Sequence, residues 1–248
     1  MPNLEKISGI KEERSLNDLK VDSSLEGRII AINKPPGITS FTVVKRIRRA
    51  VKAAKVGHAG TLDRFAEGVL VVGIGRTATR KLGEYLGSDK EYIAEVFLGT
   101  VTDTYDPNGR VVEVNEFSMP DEATLIKLLD RFSGDIMQKP PPFSALKVKG
   151  VRMYKLAMKG KKVEAKPRRI SIRRIELIGL TDDGFKMRVE CSHGTYIRSL
   201  AYDIGRELGC GAFLKQLIRT RVDGFSLEDA IDLDDFIERV KASGRMTQ

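Results

Sequence analysis

The chain has 248 residues, of which 41% are hydrophobic and 31% charged, a balance typical of globular proteins with a buried core. No apolar run approaches the roughly 20 residues of a membrane-spanning helix, and the charged first thirty residues lack a secretory signal. We therefore expect a cytoplasmic protein that does not cross a membrane. The two cysteines and two histidines argue against a structural zinc site or a disulfide scaffold.

The excess of basic over acidic residues that gives the net charge of +9 lies in one segment of the chain. Between Lys139 and Ile175, thirteen basic residues stand against a single acidic one, Glu164. A solvated basic surface would explain such a segment as well as a function would. However, cations so close together repel one another, and a polyphosphate relieves that repulsion by releasing counterions when it binds. The charge pattern therefore favours RNA or DNA as the partner.

The predicted elements begin after residues 1–27, a polar extension to which no fold is assigned. In chain order they are a strand over 28–34, a helix after Pro36 capped by Thr39 or Ser40, a glycine-punctuated loop over 57–63, a strand over 69–74 and a helix over about 77–86. Next come a strand over 92–98, a turn at 106–109 before a strand over 111–114, a helix over about 121–132 and an extended segment over 143–148. The last are a hairpin over 170–180 and 185–191, a helix over about 196–208, a strand over 213–222 and a short helix over about 236–242. Helices and hairpins alternate irregularly, which predicts an α+β fold with a mixed, largely antiparallel sheet.

The loop GHAGTLD at 57–63 is the segment best suited to chemistry. Its glycines relax the backbone, and its only ionisable side chains are His58 and Asp63. Considered alone, Asp63 is better explained as a turn or helix cap, and His58 as a packing or surface residue. The loop by itself therefore leaves a structural role open.

Six segments in a fixed order resemble the TruB-type tRNA pseudouridine-55 synthases. They are NKPPGITS at 33–40, GHAGTLD at 57–63, GVLVVGIGRTATR at 68–80, DKEYIAEVFLGTVTDTYDPNGRV at 89–111, PPFSALKVKGVRMYKLAMKG at 141–160 and CSHGTYIRSLAYDIGRELGCGAFLKQLIRTRVDGF at 191–225. Six ordered blocks are far more specific than any one short motif. The resemblance implies a pseudouridine-synthase catalytic core over residues 28–231, in which the segment 139–175 binds the T arm.

The implied activity is the isomerisation of the T-loop uridine at position 55 of tRNA. The N-glycosidic bond is broken, the uracil turns, and it is re-attached through carbon. The resemblance implies no metal and no organic cofactor. We expect a monomer whose partner is tRNA.

The resemblance also assigns roles to individual residues. Asp63 matches the essential aspartate, whose carboxylate suits the positive character that develops at C1′ of the ribose. Arg198 matches the arginine that pairs with that aspartate, and Tyr92 the tyrosine that stacks on the target uracil. His58 matches the histidine that fills the stack vacated by the flipped base. The remaining expected substrate-binding residues are Lys34, which supports the catalytic loop, Leu217, which packs the pocket, and Tyr196.

The chain departs from the family pattern in two places. The motif reads LDRFAEG, with Arg64 where the family usually has proline and Glu67 where it usually has a small residue. We hypothesise that Arg64 and Glu67 pair locally and replace the rigidity of proline. The segment 232–248 is expected to be a short tail without the PUA-type RNA-binding module of bacterial relatives, so RNA binding should be weaker and more salt-sensitive.

Other functions remain open at this stage. The altered loop allows a catalytically weak or inactive RNA-binding or tRNA-folding protein on the same scaffold. A pseudouridine synthase for another RNA is a second alternative. A basic ribosome-associated protein would explain the charge but not the GHAGTLD loop.

Overall fold

The computed structural model describes residues 12–13 and 25–245, except for 145, 149, 154–155 and 157–164. The chain divides into two compact units: the first contains the residues up to Ser88 and those from Ile218 onward, and the second contains Asp89–Leu217. The first unit is therefore built from two separate stretches of sequence.

The described strands and helices are numbered in chain order. The strands are β1 (Glu12–Glu13), β2 (Ile29–Lys34), β3 (Val56–Ala59), β4 (Glu67–Ile74), β5 (Lys90–Leu98), β6 (Thr100–Thr102), β7 (Val111–Val114), β8 (Gly134–Gln138), β9 (Lys147–Val148), β10 (Val151–Arg152), β11 (Arg168–Thr181), β12 (Gly184–Cys191), β13 (Ala212–Val222), β14 (Phe225–Ser226) and β15 (Ile231–Asp232). The helices are α1 (Ser40–Ala50), α2 (Gly75–Leu86), α3 (Glu122–Asp130), α4 (Ile197–Glu207) and α5 (Leu233–Arg245).

The first unit is organised around strand β4. One edge of β4 pairs antiparallel with β2, and the other edge pairs antiparallel with β3 and parallel with the part of β13 that begins at Ile218. Strands β1 and β15 pair parallel with β2, and β14 pairs antiparallel with β13. Because β3 and β13 share an edge of β4, the loop that leaves β3 emerges beside β13.

Both faces of this sheet are buried, which explains the nearly continuous apolar sequences of β2 and β4. Alternate side chains of a strand point to opposite faces. Ile30, Ile32, Leu70 and Val72 pack on one face with apolar residues of α1 and α5. The intervening residues, Ile29, Ala31, Val69 and Val71, pack on the other face with α2.

The second unit contains an antiparallel sheet in the order β5, β12, β11, β8. The turn predicted at 106–109 joins the antiparallel pair β6 and β7, and the N–H of Gly109 donates to the carbonyl of Asp106 at 3.3 Å. Strands β9 and β10 form a further antiparallel pair. Helix α3 begins with an aspartate cap, in which the N–H of Thr124 donates to the carboxylate of Asp121.

The predicted α+β class with a mixed, largely antiparallel sheet is confirmed. Most predicted elements are found with ends shifted by one to three residues. Several strands are not predicted by the sequence, among them β3, which lies where a loop is expected from Gly57, and β8, which has no alternating apolar pattern. The last helix is longer than predicted, and its Leu233, Phe236 and Ile237 lie in the core of the first unit.

Of the predicted N-terminal extension, the described part before Leu25 is the two-residue strand β1. The rest of residues 1–24, like parts of the basic segment 139–175, lies outside the described residues. No helix in the described part of the chain is both long and apolar enough to span a bilayer.

Candidate active site

Asp63 lies in the first unit, in the connection between the antiparallel strands β3 and β4. Gly60 leaves β3 with φ +79°, a conformation that glycine adopts without strain. The Oγ of Ser40, the first residue of α1, accepts a hydrogen bond from the N–H of Leu62 at 3.0 Å and donates to its carbonyl at 3.1 Å. The backbone immediately before Asp63 is therefore held to α1, while Thr39 caps that helix.

Arg219 of β13 supports the same loop from the other side. The residue is 1% exposed, and its Nε donates to the carbonyl of Val69 at 2.7 Å. A terminal guanidinium nitrogen donates to the carbonyl of Gly60 at 3.2 Å. Gly68 has φ +105°, and a Cβ there would lie 2.3 Å from the carbonyl oxygen of Arg219. The close approach of β13 to β4 therefore requires glycine at position 68.

Lys34, at the end of β2, has its ammonium group buried beside this loop. Its Nζ donates to the carbonyls of Pro35 at 2.9 Å and Ile38 at 2.8 Å. Burial lowers the pKa of Lys34 from 10.5 to about 8; the negative charge of Asp63 opposes this shift, and the positive charge of Arg219 adds to it. The charge of Asp63 therefore acts on Lys34 within the first unit.

The buried Lys34 gives the stability of the protein a defined dependence on pH. Between about pH 8 and 10.5 the unfolded chain binds more protons at this residue than the folded chain, so its contribution to stability increases as the pH rises. We expect the free energy of unfolding of the wild type, relative to Lys34→Met, to rise by about 1–2 kcal/mol from pH 8 to 9.5. Urea unfolding of both proteins at the two pH values measures this. The other titrating groups are shared and cancel, so an unchanged difference would contradict the assignment.

Arg64 has a different partner from the one predicted. Its Nε donates to the carbonyl of Gly37 at 2.8 Å, and the N–H of Gly37 donates to the carbonyl of Arg64 at 2.8 Å. A pair between residues three apart, as proposed for Arg64 and Glu67, suits a helix, but residues 64–66 are not helical. Arg64 therefore joins the Asp63 loop to the turn after β2.

His58 lies in β3, opposite Val72 of β4. Burial lowers its pKa below 6.5, the charge of Arg219 lowers it further, and a hydrogen bond with the backbone of Gly60 opposes the shift. Its Nδ1 is buried and has no hydrogen-bond partner among the described residues. The imidazole is therefore neutral at neutral pH.

Arg198 lies in the second unit, in the first turn of α4, and is 4% exposed. It donates to the carbonyls of Thr104 at 2.8 Å and Phe143 at 3.0 Å and forms an ion pair of 3.3 Å with Asp106. Asp106 also accepts from the hydroxyl of Thr104 at 2.8 Å and the N–H of Asn108 at 2.9 Å. The two charges are buried together, and Arg198 joins α4 to the β6–β7 turn.

The other predicted residues of the second unit lie on three elements. Tyr92 is a buried residue of β5, paired with Val189 of β12. Tyr196 precedes α4, and its backbone N–H and carbonyl both bond to the side chain of Gln138, at 2.8 and 3.0 Å. The guanidinium of Arg168 lies 4.8 Å from the centre of the Tyr196 ring. Leu217 is a buried residue of β13.

Three structurally important residues were not identified from the sequence: Ser40, Asp106 and Arg219. The sequence pattern indicates Ser40 only as a possible helix cap and Asp106 only as part of a turn. Arg219 lies in a strand rich in basic residues, where burial of one arginine has no local signature. Among the described residues, no group of three or more His, Cys, Asp or Glu side chains is close enough to hold a metal ion.

Comparisons with known proteins agree on one family. The model described as TruB family pseudouridylate synthase (N terminal domain) matches residues 48–197, and that described as tRNA pseudouridylate synthase B C-terminal domain matches residues 198–245. A protein of Dehalococcoides mccartyi (strain CBDB1) named tRNA pseudouridine synthase B is 46% identical over 219 residues, covering 88% of this chain and 72% of that protein. Its namesake from Protochlamydia amoebophila (strain UWE25) is 48% identical over 210 residues, covering 85% and 79%.

A solved structure described as a Cbf5-Nop10-Gar1 complex contains a similar chain, with a TM-score of 0.72 and 28% sequence identity. The match covers 94% of this chain, which spans only 60% of that one. The two family models and the named relatives lead to the same assignment. The chain belongs to the TruB family of pseudouridylate synthases, which are isomerases.

Proposed function

We propose that this protein isomerises the uridine at position 55, in the T loop of tRNA, to pseudouridine. The relatives named tRNA pseudouridine synthase B, each matched over more than two thirds of its length, support this substrate. The observation that carries the proposal is the support of the Asp63 loop by Ser40 on one side and Arg219 on the other. A preorganised carboxylate is what a reaction that builds positive charge on a sugar requires.

In this mechanism the target uridine leaves its stack before it reacts. Extrusion of a base costs a few kcal/mol, which contacts in the pocket must offset. We propose that Tyr92 stacks on the extruded uracil and that His58 fills the position in the RNA stack that the uracil has left. A neutral imidazole keeps both ring faces free of charge, which suits that role. Leu217 and Tyr196 are proposed to complete the pocket.

Asp63 is proposed to act on the sugar or the base as an ionised carboxylate. Breaking the glycosidic bond develops positive character at C1′, which the carboxylate can stabilise or trap. Abstraction of the C2′ proton and attack on the base are the other two routes open to it. The pairing of Arg198 with Asp63 stays a prediction, and Lys34 supplies a second positive charge near the loop.

The basic segment 139–175 is proposed to bind the T arm of tRNA, within a catalytic domain over 28–231. Three of its cations are already paired with acidic residues: Arg169 with Asp135, Arg173 with Asp89, and Arg174 with Glu176. Exposed pairs of this kind are weak and are readily exchanged for phosphate. We further propose that the protein acts as a monomer in the cytoplasm.

Chemical mapping of pseudouridine in an unmodified tRNA transcript tests the proposal. The wild-type protein is incubated with the transcript, with a matched transcript carrying cytidine at position 55, and with a ribosomal RNA fragment. We expect pseudouridine at position 55 of the first RNA and none in the other two. Binding of the transcript without any pseudouridine would favour the RNA-folding alternative, and modification of the ribosomal fragment alone would favour another target.

A further inference from the structure

The solvent-facing side of helix α1 carries one aromatic residue and three cations. Phe41 is 72% exposed, and Lys45, Arg48 and Arg49 are also exposed. At 100° per residue, Phe41, Lys45 and Arg48 fall within about 60° of one another, and Arg49 borders them. We call these four residues the α1 outer face. The opposite side of the helix holds the buried residues Val43 and Ile47, so the outer face is not needed for the core.

This face begins next to the loop that carries Asp63. Ser40, which is hydrogen-bonded to both backbone polar groups of Leu62, immediately precedes Phe41. From Phe41 the cations continue along the helix for about 12 Å, as far as Arg49, at 1.5 Å per residue. An RNA strand whose target nucleotide reaches Asp63 would therefore have neighbouring nucleotides within reach of Phe41.

The cations of the α1 outer face have no acidic partner in the described part of the chain. Helix α1 contains no acidic residue, and Lys45, Arg48 and Arg49 form no ion pair with any residue that the structure describes. Arg46 lies on another side of the helix and pairs with Asp234 of α5. In α5, Glu238 is bonded to Lys241. Among the described residues, the carboxylates of α5 therefore form no ion pair with this face.

We propose that the α1 outer face binds the substrate RNA beside the target nucleotide. Phe41 stacks on an unpaired base, and Lys45, Arg48 and Arg49 contact phosphates. An exposed aromatic ring combined with a track of cations is the pattern by which proteins hold single-stranded or looped RNA. This inference rests on the proposed function, because it takes the substrate of the Asp63 loop to be RNA.

The test compares two double variants that each remove one lysine and one arginine from the first unit. Lys45→Gln/Arg48→Gln changes the α1 outer face, and Arg239→Gln/Lys241→Gln changes α5. Filter binding of an unmodified tRNA transcript is measured at several salt concentrations. We expect the α1 variant to bind about tenfold more weakly, with the slope of log K against log salt reduced by about one to two, and the α5 variant to bind like the wild type. Equal weakening by both variants would show a net-charge effect only and would overturn the proposal, as would normal binding by the α1 variant.

Variants of Phe41 separate RNA stacking from a protein-docking role. Phe41→Tyr keeps the aromatic ring, whereas Phe41→Leu keeps apolar area but loses the ring. We expect the tyrosine variant to bind the transcript normally and the leucine variant about fivefold or more weakly. Normal binding by the leucine variant would contradict stacking and leave a protein partner as the better explanation. If the wild type binds tRNA but forms no pseudouridine, the proposed function fails, whereas these binding comparisons still decide the role of α1.

Discussion

Replacing Asp63 by asparagine should abolish pseudouridine formation, by at least about 10³-fold, while binding of tRNA is retained. Asparagine has nearly the same shape, and the backbone contacts of Leu62 and Gly60 do not involve the Asp63 side chain. The variant therefore loses the negative charge, whereas the hydrogen bonds that hold the loop are retained. Single-turnover mapping of pseudouridine at position 55, with filter binding of the same transcript, measures both properties.

Asp235→Asn provides a matched control for this prediction. Asp235 is an exposed aspartate of α5 in the same unit, and its replacement removes the same charge. We expect the control to modify tRNA at the wild-type rate. If Asp63→Asn loses binding together with activity, Asp63 has a structural role; if it retains activity, the assignment of the catalytic carboxylate is wrong.

Replacing Arg198 by methionine should destabilise the protein by about 3–5 kcal/mol and also eliminate activity. The side chains of Arg198 and Asp106 are 5% and 8% exposed, so removal of the guanidinium leaves a buried carboxylate without its counter-charge. The carbonyls of Thr104 and Phe143 lose a donor as well. Urea unfolding and the pseudouridine assay measure the two effects.

A second substitution distinguishes the structural effect of Arg198 from its catalytic one. In Arg198→Met/Asp106→Asn the buried negative charge is also removed, and the asparagine oxygen can still accept from Thr104 and Asn108. We expect the double variant to recover part of the lost stability but none of the activity. Recovery of both would show that Arg198 acts only by compensating Asp106, and unchanged stability of Arg198→Met would contradict the buried ion pair.

The regular elements were predictable where the sequence pattern depends on one element alone. Strands β2 and β4 are almost continuously apolar because helices cover both faces, and α1 repeats its apolar residues with helical spacing. By contrast, β3 contains Gly57 and His58 and forms a strand because β4 offers it an edge to pair with. The pairing of β3 with β4 depends on tertiary structure, and a local sequence pattern gives no information about it.

The same distinction applies to the candidate site. Asp63 and His58 stand out because a glycine-rich loop concentrates them, and the family resemblance supplied the expected roles. The partners of the site residues come from distant positions: Arg219 lies more than 150 residues after Gly60, whose carbonyl it binds, and Asp106 lies more than 90 residues before its partner Arg198. Even Arg64, whose predicted partner was three residues away, bonds instead to Gly37 across the loop.

Ser40 connects the proposed RNA-binding face of α1 to Asp63, the proposed catalytic residue. Its hydroxyl bridges the first turn of α1 to the peptide before Asp63, so a displacement of that turn by a fraction of an ångström would be transmitted to the carboxylate. RNA that presses on Phe41 would act on the neighbouring residue of the same turn. If RNA docks on the α1 outer face as proposed, this hydrogen-bonded link gives it a path to the position of Asp63, the proposed catalytic residue.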